Sequence, residues 1–228
     1  MHQNLFKWSD QSSFISPSSK LRDKADIANQ LALFFEILHS GKTPRINSDG
    51  ITSHKPVIGG AFQSISGGST GLPKIIERTC ISWILSFNIN NKFFNLSGCK
   101  VALFGSLNHS LVLYGALEGL HLGCEVHYLE GQSPIKQLEY LERENIEILY
   151  VTPTQLRLML TAKYKNYRIK SLKYVFIGGG STEQNTLMEL SEVAPNAALK
   201  QFYGSSETSF ISISDKFTPR GSVGKAYK

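Results

Sequence analysis

Nine residues, Ser66-Gly67-Gly68-Ser69-Thr70-Gly71-Leu72-Pro73-Lys74, combine three glycines, three hydroxyls and one cation. Glycines let backbone N–H groups close around an anion, hydroxyls add donors, and a lysine supplies a point charge, so phosphate is the ligand this composition suits. Several unrelated loops bind phosphate. A Walker A loop needs Gly-Lys-Ser/Thr, but here Leu72 and Pro73 separate Gly71 from Lys74, and Ile75 follows. A dinucleotide fingerprint fails on glycine spacing, with no acid at the position that would hold a ribose. Two more clusters have the makings of chemistry: Gly178-Gly179-Gly180-Ser181, and Tyr203-Gly204-Ser205-Ser206-Glu207, which ends in a carboxylate. His121 and His127 stand six apart and read as structural, so no metal cluster is expected.

These clusters need elements to carry them. Ile27, Leu31, Phe34, Phe35 and Leu38 recur at helical spacing, predicting a helix over 25–40 that Gly41 can cap. Residues 1–20 are Ser-rich and aperiodic and read as a loosely tethered arm. Residues 42–63 read as turns with short strands, and a helical segment is expected around Ser82–Phe87. Further on, strands are expected at Lys100–Gly105, Glu125–Leu129, Ile146–Val151, Tyr174–Ile177 and Ala198–Gly204. Helices alternate with them, at Ser110–Leu122 (closed by Gly123), at Ile135–Glu144, after Thr152, and through Leu187 and Leu190. Thr152-Pro153-Thr154-Gln155 is a capping box with proline at the first helical position, and Ser181 with Gln184 reads as a second box. This alternation predicts an α/β fold with a mainly parallel sheet flanked by helices. Ligands bind at the carboxyl ends of such strands, where both the triple glycine and the Tyr203–Glu207 cluster fall.

In this order the segments resemble a known superfamily. Ser66–Lys74 closely resembles the signature loop of the adenylate-forming enzymes, which include acyl- and aryl-CoA synthetases, peptide-synthetase adenylation domains and luciferases. "QFYGSSETS" (Gln201–Ser209) resembles their YGxTE motif, with Ser206 in place of threonine. "FIGGGS" (Phe176–Ser181) is similar to their strand-then-GGA segment, and "GSVGKAY" (Gly221–Tyr227) to GSVGxP, with alanine where proline is usual. Weaker likenesses are "ILHSGKTPRI" (Ile37–Ile46) and "SLNHSLVLYGAL" (Ser106–Leu117). The resemblance implies the large N-terminal domain of such an enzyme, with ATP and Mg²⁺ as ligands. Ser66, Gly67, Gly68, Ser69, Thr70, Gly71 and Lys74 would hold the phosphates. Gly178, Gly179 and Gly180 would line the adenine and acyl pockets, Tyr203 would stack on adenine, Ser205 and Ser206 would meet phosphate, and Glu207 would bind Mg²⁺. His109 is either substrate-facing or a hydrogen-bonded structural residue. The implied substrate is a carboxylic acid, and the implied acceptor is the thiol of coenzyme A or of a phosphopantetheine on an acyl carrier protein.

Residues 1–98 are expected to form an N-terminal part carrying the helix and the phosphate loop at 64–75, and residues 99–228 an α/β subdomain with the adenine and acyl pocket. The family's later segments, including a mobile domain with a catalytic lysine, are not found, so that C-terminal domain is expected to be absent from this chain. Three readings follow: an acid–AMP ligase or its large subdomain, a nucleotide- or acyl-binding module without turnover, or a scaffold completed by a partner domain in trans.

The 228 residues carry a net charge of +6, which suits polyanionic ligands. The richest basic segment, Lys163–Lys173, reads as a solvated connection, so nucleic acid is not expected. With no long apolar run and no secretory signal, neither a membrane span nor export is expected, and a cytoplasmic location follows. Cys80, Cys99 and Cys124 form no CxxC pair and are expected to be reduced. Trp8 and Trp83 are expected to serve packing.

Overall fold

The computed structural model describes residues 5–17, 24–66, 74–161, 167–219 and 221–227. In chain order the elements are β1 (Ser13–Ile15), α1 (Lys24–His39), β2 (Thr43–Asn47), β3 (Gly50–His54), β4 (Ala61–Ser66), β5 (Lys74–Thr79) and α2 (Cys80–Phe94). The second half continues with β6 (Lys100–Leu103), α3 (Ser110–Leu122), β7 (Glu125–Tyr128), α4 (Pro134–Arg143), β8 (Ile148–Val151) and α5 (Pro153–Thr161). It ends with β9 (Tyr174–Ile177), α6 (Gln184–Val193), β10 (Ala198–Ser205), β11 (Ser209–Ser214) and β12 (Lys225–Ala226).

Eight strands form one sheet in the order β1-β7-β6-β8-β9-β10-β11-β12, parallel from β1 to β10 and antiparallel beyond. Alternation along its central strands explains why both faces are buried. Val101 and Leu103, Ile148 and Tyr150, and Phe176 face a core shared with α1, α2 and α3. Ala102, Leu149, Val151, Val175 and Ile177 face a second core under α4, α5 and α6. The mostly parallel α/β architecture read from the alternating pattern is therefore present.

Several local expectations hold. Gly41 and Lys42 donate to Leu38 and Ile37 at the end of α1, and α3 ends at Gly123. Thr152 and Gln155 cap α5 reciprocally, with the Thr152 amide 2.9 Å from Gln155 Oε1 and the Gln155 amide 3.3 Å from Thr152 Oγ1. The three cysteines are free and buried. Trp83 is buried in the core and Trp8 packs on Phe35 at 5.6 Å between ring centroids.

Other expectations are corrected. The described part of the N-terminal arm is anchored: Phe6 is fully buried among Phe34, Phe62, Trp83 and Phe87, and β1 pairs with β7. The second capping box does not form, because α6 begins at Gln184 with Glu183 in the cap position and no side-chain cap bond. The helix expected around Ser82–Phe87 is present within α2, but a strand that the sequence reading did not anticipate precedes it. This strand, β5, closes a four-stranded sheet ordered β3-β2-β4-β5. A cross-strand row ties that sheet together: Arg45 Nε donates to Gln63 Oε1 at 2.7 Å, and Gln63 Nε2 to Glu77 Oε2 at 2.8 Å.

The α1–α3 core also holds a buried carboxyl. Glu118 accepts from Asn90 Nδ2 at 2.7 Å and from the Tyr150 hydroxyl, while the Tyr227 hydroxyl donates to Asn90 Oδ1. Burial pushes Glu118 up to about 7, against the lowering effect of the hydrogen bonds from Tyr150, Asn90 and Tyr114. The folded protein thus keeps a proton that the unfolded chain releases, so this group's contribution to stability falls as pH rises from about 4.5 to about 7. A shift of that size corresponds to about 3 kcal/mol. His121 and His127, both pushed down by burial, oppose this trend at acid pH. They titrate alike in wild type and Glu118→Gln, so the difference between the two isolates the carboxyl. Urea unfolding from pH 5 to pH 8 is expected to move that difference by about 3 kcal/mol in favour of the variant. A difference that does not change with pH would place the ionised form in the fold.

Candidate active site

Three segments meet where the antiparallel end of the large sheet approaches the four-stranded sheet. The first is the β4–β5 hairpin, in which Ser66 and Lys74 are Cα partners. Between them, Gly67, Gly68, Ser69, Thr70 and Gly71 lie outside the described residues. Lys74, the first residue of β5, is exposed. Side chains alternate along a strand, so Lys74, Ile76 and Arg78 share one face of β5.

The second is the β10–β11 turn. Ser205 and Thr208 brace it reciprocally, with the Ser205 amide 3.1 Å from Thr208 Oγ1 and the two hydroxyls 3.0 Å apart. The Glu207 side chain projects to solvent from this turn. The Ser205 hydroxyl and the Glu207 backbone amide hold its carboxyl below the usual carboxylate range, and Lys74 and Arg78 add to the effect. Glu207 is thus ionised at neutral pH, with two cations of β5 close by. Ser209, next in β11, has φ +59°, and its hydroxyl is buried without a hydrogen-bond partner. Strain of this kind concentrates at functional turns.

The third is the start of α3. His109 occupies its N-cap position, exposed and making no side-chain cap bond. Ser110 Oγ lies 2.6 Å from Ser206 Oγ, so the hydroxyl assigned to phosphate is joined to α3. The triple glycine lies beside this start. Gly178 is buried and a Cβ on it would come 3.3 Å from Leu111, while Gly179 (φ +87°) and Gly180 are exposed above Thr152 and above Pro153, the first residue of α5. Tyr203 lies two residues past the Gln201–Ile177 register pair, as Gly179 does, and the residue is 55% exposed.

The structure therefore brings Lys74, Glu207, Ser205, Ser206, Tyr203, Gly178–Gly180 and His109 to one end of the fold. The sequence reading missed Arg78, Ser82 and Ser110. Arg78 Nη1 donates to the Ser206 carbonyl at 3.3 Å and to the Glu207 carbonyl, and Nη2 reaches Ser82 Oγ at 3.2 Å. A signal was present in the two-residue period from Lys74, which puts Arg78 on the lysine's face.

The residues fit a magnesium–phosphate ligand better than a free cation. Among the described residues no group of three or more His, Cys, Asp or Glu could hold a metal. Mg²⁺ characteristically takes one or two carboxylates together with substrate phosphates and water. Glu207 would supply one carboxylate and the nearby Lys74 would suit phosphate oxygens, while the Arg78 guanidinium is engaged by the turn's own carbonyls.

The fold, with glycine-rich and acidic loops at its strand ends, is that of the adenylate-forming enzymes. Residues 61–228 match the model of the AMP-binding enzyme family, and the chain belongs to that family. An uncharacterized acyl-CoA ligase, YhfT of Bacillus subtilis, is 34% identical over 154 residues, covering 67% of this chain and 32% of that protein. The putative long chain fatty acid-CoA ligase VraA of Staphylococcus epidermidis is 29% identical over 164 residues, 71% of this chain and 36% of its own. The chain thus spans about a third of the length of these curated relatives. Among solved structures, o-succinylbenzoate coenzyme A synthetase of Bacillus subtilis, in complex with ATP and magnesium ion, superposes with a TM-score of 0.63 at 21% identity. That match covers 72% of this chain and 35% of the other. No helix among the described residues is long and apolar enough to cross a membrane.

Proposed function

We propose that the protein activates a carboxylic acid with ATP, forming an acyl-adenylate and pyrophosphate, and passes the acyl group to a thiol of coenzyme A or of a phosphopantetheine carrier. The observation that carries this reading is the convergence of Lys74, Arg78 and the ionised Glu207 between the β4–β5 hairpin and the β10–β11 turn. Family membership and the acyl-CoA ligase relatives support it.

In the activation step a carboxylate oxygen forms a bond to the α-phosphorus, the α–β bridging P–O bond breaks, and pyrophosphate leaves with the electron pair. The obstacle is charge, because an anion must approach a polyanion. Lys74 and the amides of the hairpin loop would hold the β- and γ-phosphates, so that charge on the leaving group develops against fixed cations and dipoles. Mg²⁺ held by Glu207 would neutralise phosphate charge further when bound. With Lys74 and Arg78 beside it, Glu207 is a poor site for the free metal, so metal and nucleotide should bind together. The exposed Tyr203 would take adenine beside Gly179 and Gly180, and the start of α3 at His109 would border the acid. In the second step a thiolate attacks the acyl carbon and AMP departs.

The test is acid-dependent exchange of labelled pyrophosphate into ATP by the intact protein, across a panel of fatty, short-chain and aryl acids. Exchange with at least one acid, lowered about 10²-fold or more in Lys74→Ala, is expected. Nucleotide binding with no exchange for any acid would favour a binding module over a ligase.

A further inference from the structure

We propose that Arg78 is a positioning residue that clamps the metal-binding turn onto the phosphate-binding hairpin, so that the two halves of the nucleotide site move as one body. The proposal rests on the reading of Glu207 as the Mg²⁺ carboxylate and goes beyond it by naming what sets that carboxylate's place.

In the turn Ser205–Thr208, Ser205, Glu207 and Thr208 are exposed and Ser206 is half-buried, so none of its side chains is anchored in the apolar core. A loop of this kind opens readily unless side chains tie it down. Its internal ties, between Ser205 and Thr208, shape the turn without fixing where it sits. Among the described residues, two side-chain ties reach it from other elements. One is the Ser110–Ser206 hydroxyl pair, to α3. The other is Arg78, whose Nη1 serves the carbonyls of two successive residues, Ser206 and Glu207, while Nη2 is braced by Ser82 at the start of α2.

The geometry suits arginine. A planar fork with several donors can meet two carbonyls and a hydroxyl together, whereas lysine offers a compact charge without that fixed shape. The guanidinium is half-buried, which strengthens its bonds to the carbonyls. Because β5 is one continuous strand, Arg78 is linked rigidly to Lys74, four residues earlier on the same face. Lys74, at the phosphates, and Glu207, at the metal, are thus linked through one strand and one side chain. Ser206 and Glu207 turn their carbonyls toward the fork, leaving the Glu207 carboxylate outward on the side of Lys74. Arg78 need not touch the nucleotide to act, because its effect passes through the turn.

The experiment combines ATP titration, with and without Mg²⁺, and amide hydrogen exchange on the intact protein in wild type, Arg78→Met, Glu207→Gln and the double variant. For Arg78→Met the dissociation constant for ATP with Mg²⁺ should rise about tenfold or more, while that without Mg²⁺ changes less than about threefold. In the Glu207→Gln background the same change should add less than about threefold, because the two residues act through one contact. Exchange at the amides of residues 206–208 should quicken about tenfold without nucleotide, with β8 unaffected. Should Arg78→Met not fold, Arg78→Lys carries the test, with about a threefold or greater loss of Mg²⁺-dependent affinity expected from the missing fork. The proposal is overturned by unchanged turn exchange, by wild-type affinity for Mg²⁺–ATP, or by an equal loss with and without Glu207. A wild type that binds no ATP would overturn the functional reading, and the exchange result would then judge the clamp by itself.

Discussion

Glu207→Gln is expected to abolish the Mg²⁺ dependence of ATP binding and to lower pyrophosphate exchange about 10²- to 10³-fold, the range for losing one preorganised electrostatic contact. The substitution keeps size and one acceptor oxygen but removes the charge. Because the side chain points to solvent, the fold should not register the change, and the unfolding midpoint should match wild type. In wild type the Ser205 hydroxyl, the Glu207 amide, Lys74 and Arg78 all keep this carboxyl ionised. The carboxylate is therefore charged at neutral pH and exposed, able to meet a cation that arrives with the nucleotide phosphates. Calorimetry with ATP at fixed Mg²⁺, and again in chelator, reads the effect directly. Identical Mg²⁺ dependence in variant and wild type would remove Glu207 from the site.

Gly204→Ala is expected to have the second large effect, on stability and binding together. At the bulge between Tyr203 and Gly204, β11 carries an extra residue, and the Ser209 carbonyl turns onto the Gly204 Cα. A Cβ there would sit 1.9 Å from the Ser209 oxygen, 2.8 Å from its carbonyl carbon and 3.2 Å from the Phe210 Cα. These are backbone atoms, so no rotamer change relieves the clash. Ser209 cannot yield easily, since it already has a left-handed backbone and the next residue, Phe210, is stacked on Phe202 at 3.9 Å. The turn itself must move, and Glu207 moves with it. About 3 kcal/mol of stability should be lost, at the upper end for overpacking, with Mg²⁺-dependent ATP affinity falling about 10²-fold. Urea unfolding and titration of the same sample check both. A variant with the wild-type midpoint and affinity would mean that the turn does not carry the metal site.

Much of this site was legible because its motifs sit at strand ends that period-two and period-3.6 patterning reveals. Val101–Leu103, Ile148–Val151 and Tyr174–Ile177 are short apolar runs that each follow a charged residue and lead toward Gly105, Thr152 and Gly178, and alternating helices leave a parallel sheet as the simplest arrangement. The helix Ser110–Leu122 could be read to the residue because Gly123 closes it. What was not legible depended on contacts between distant segments. Phe6 lies in a polar, aperiodic arm, and its burial is set by aromatic rings from α1, β4 and α2. The charged β5 sequence Lys-Ile-Ile-Glu-Arg-Thr hides a strand whose pairing with β4 decides it. Serine-rich β11 pairs because β10 and Tyr227 fold over it, with the Tyr227 amide donating to the Ile211 carbonyl at 2.8 Å. Arg78 escaped notice because its role is to hold two carbonyls 128 and 129 residues away.

The most direct test of the central claim is calorimetric titration of the protein with ATP, in Mg²⁺ and in chelator. Saturable binding that tightens in Mg²⁺ is expected, together with no uptake of Mg²⁺ in the absence of nucleotide, because Lys74 and Arg78 flank the one carboxylate of the turn. No ATP binding under either condition, or equal binding under both, would contradict the assignment of the β4–β5 hairpin and the β10–β11 turn as a Mg²⁺–ATP site.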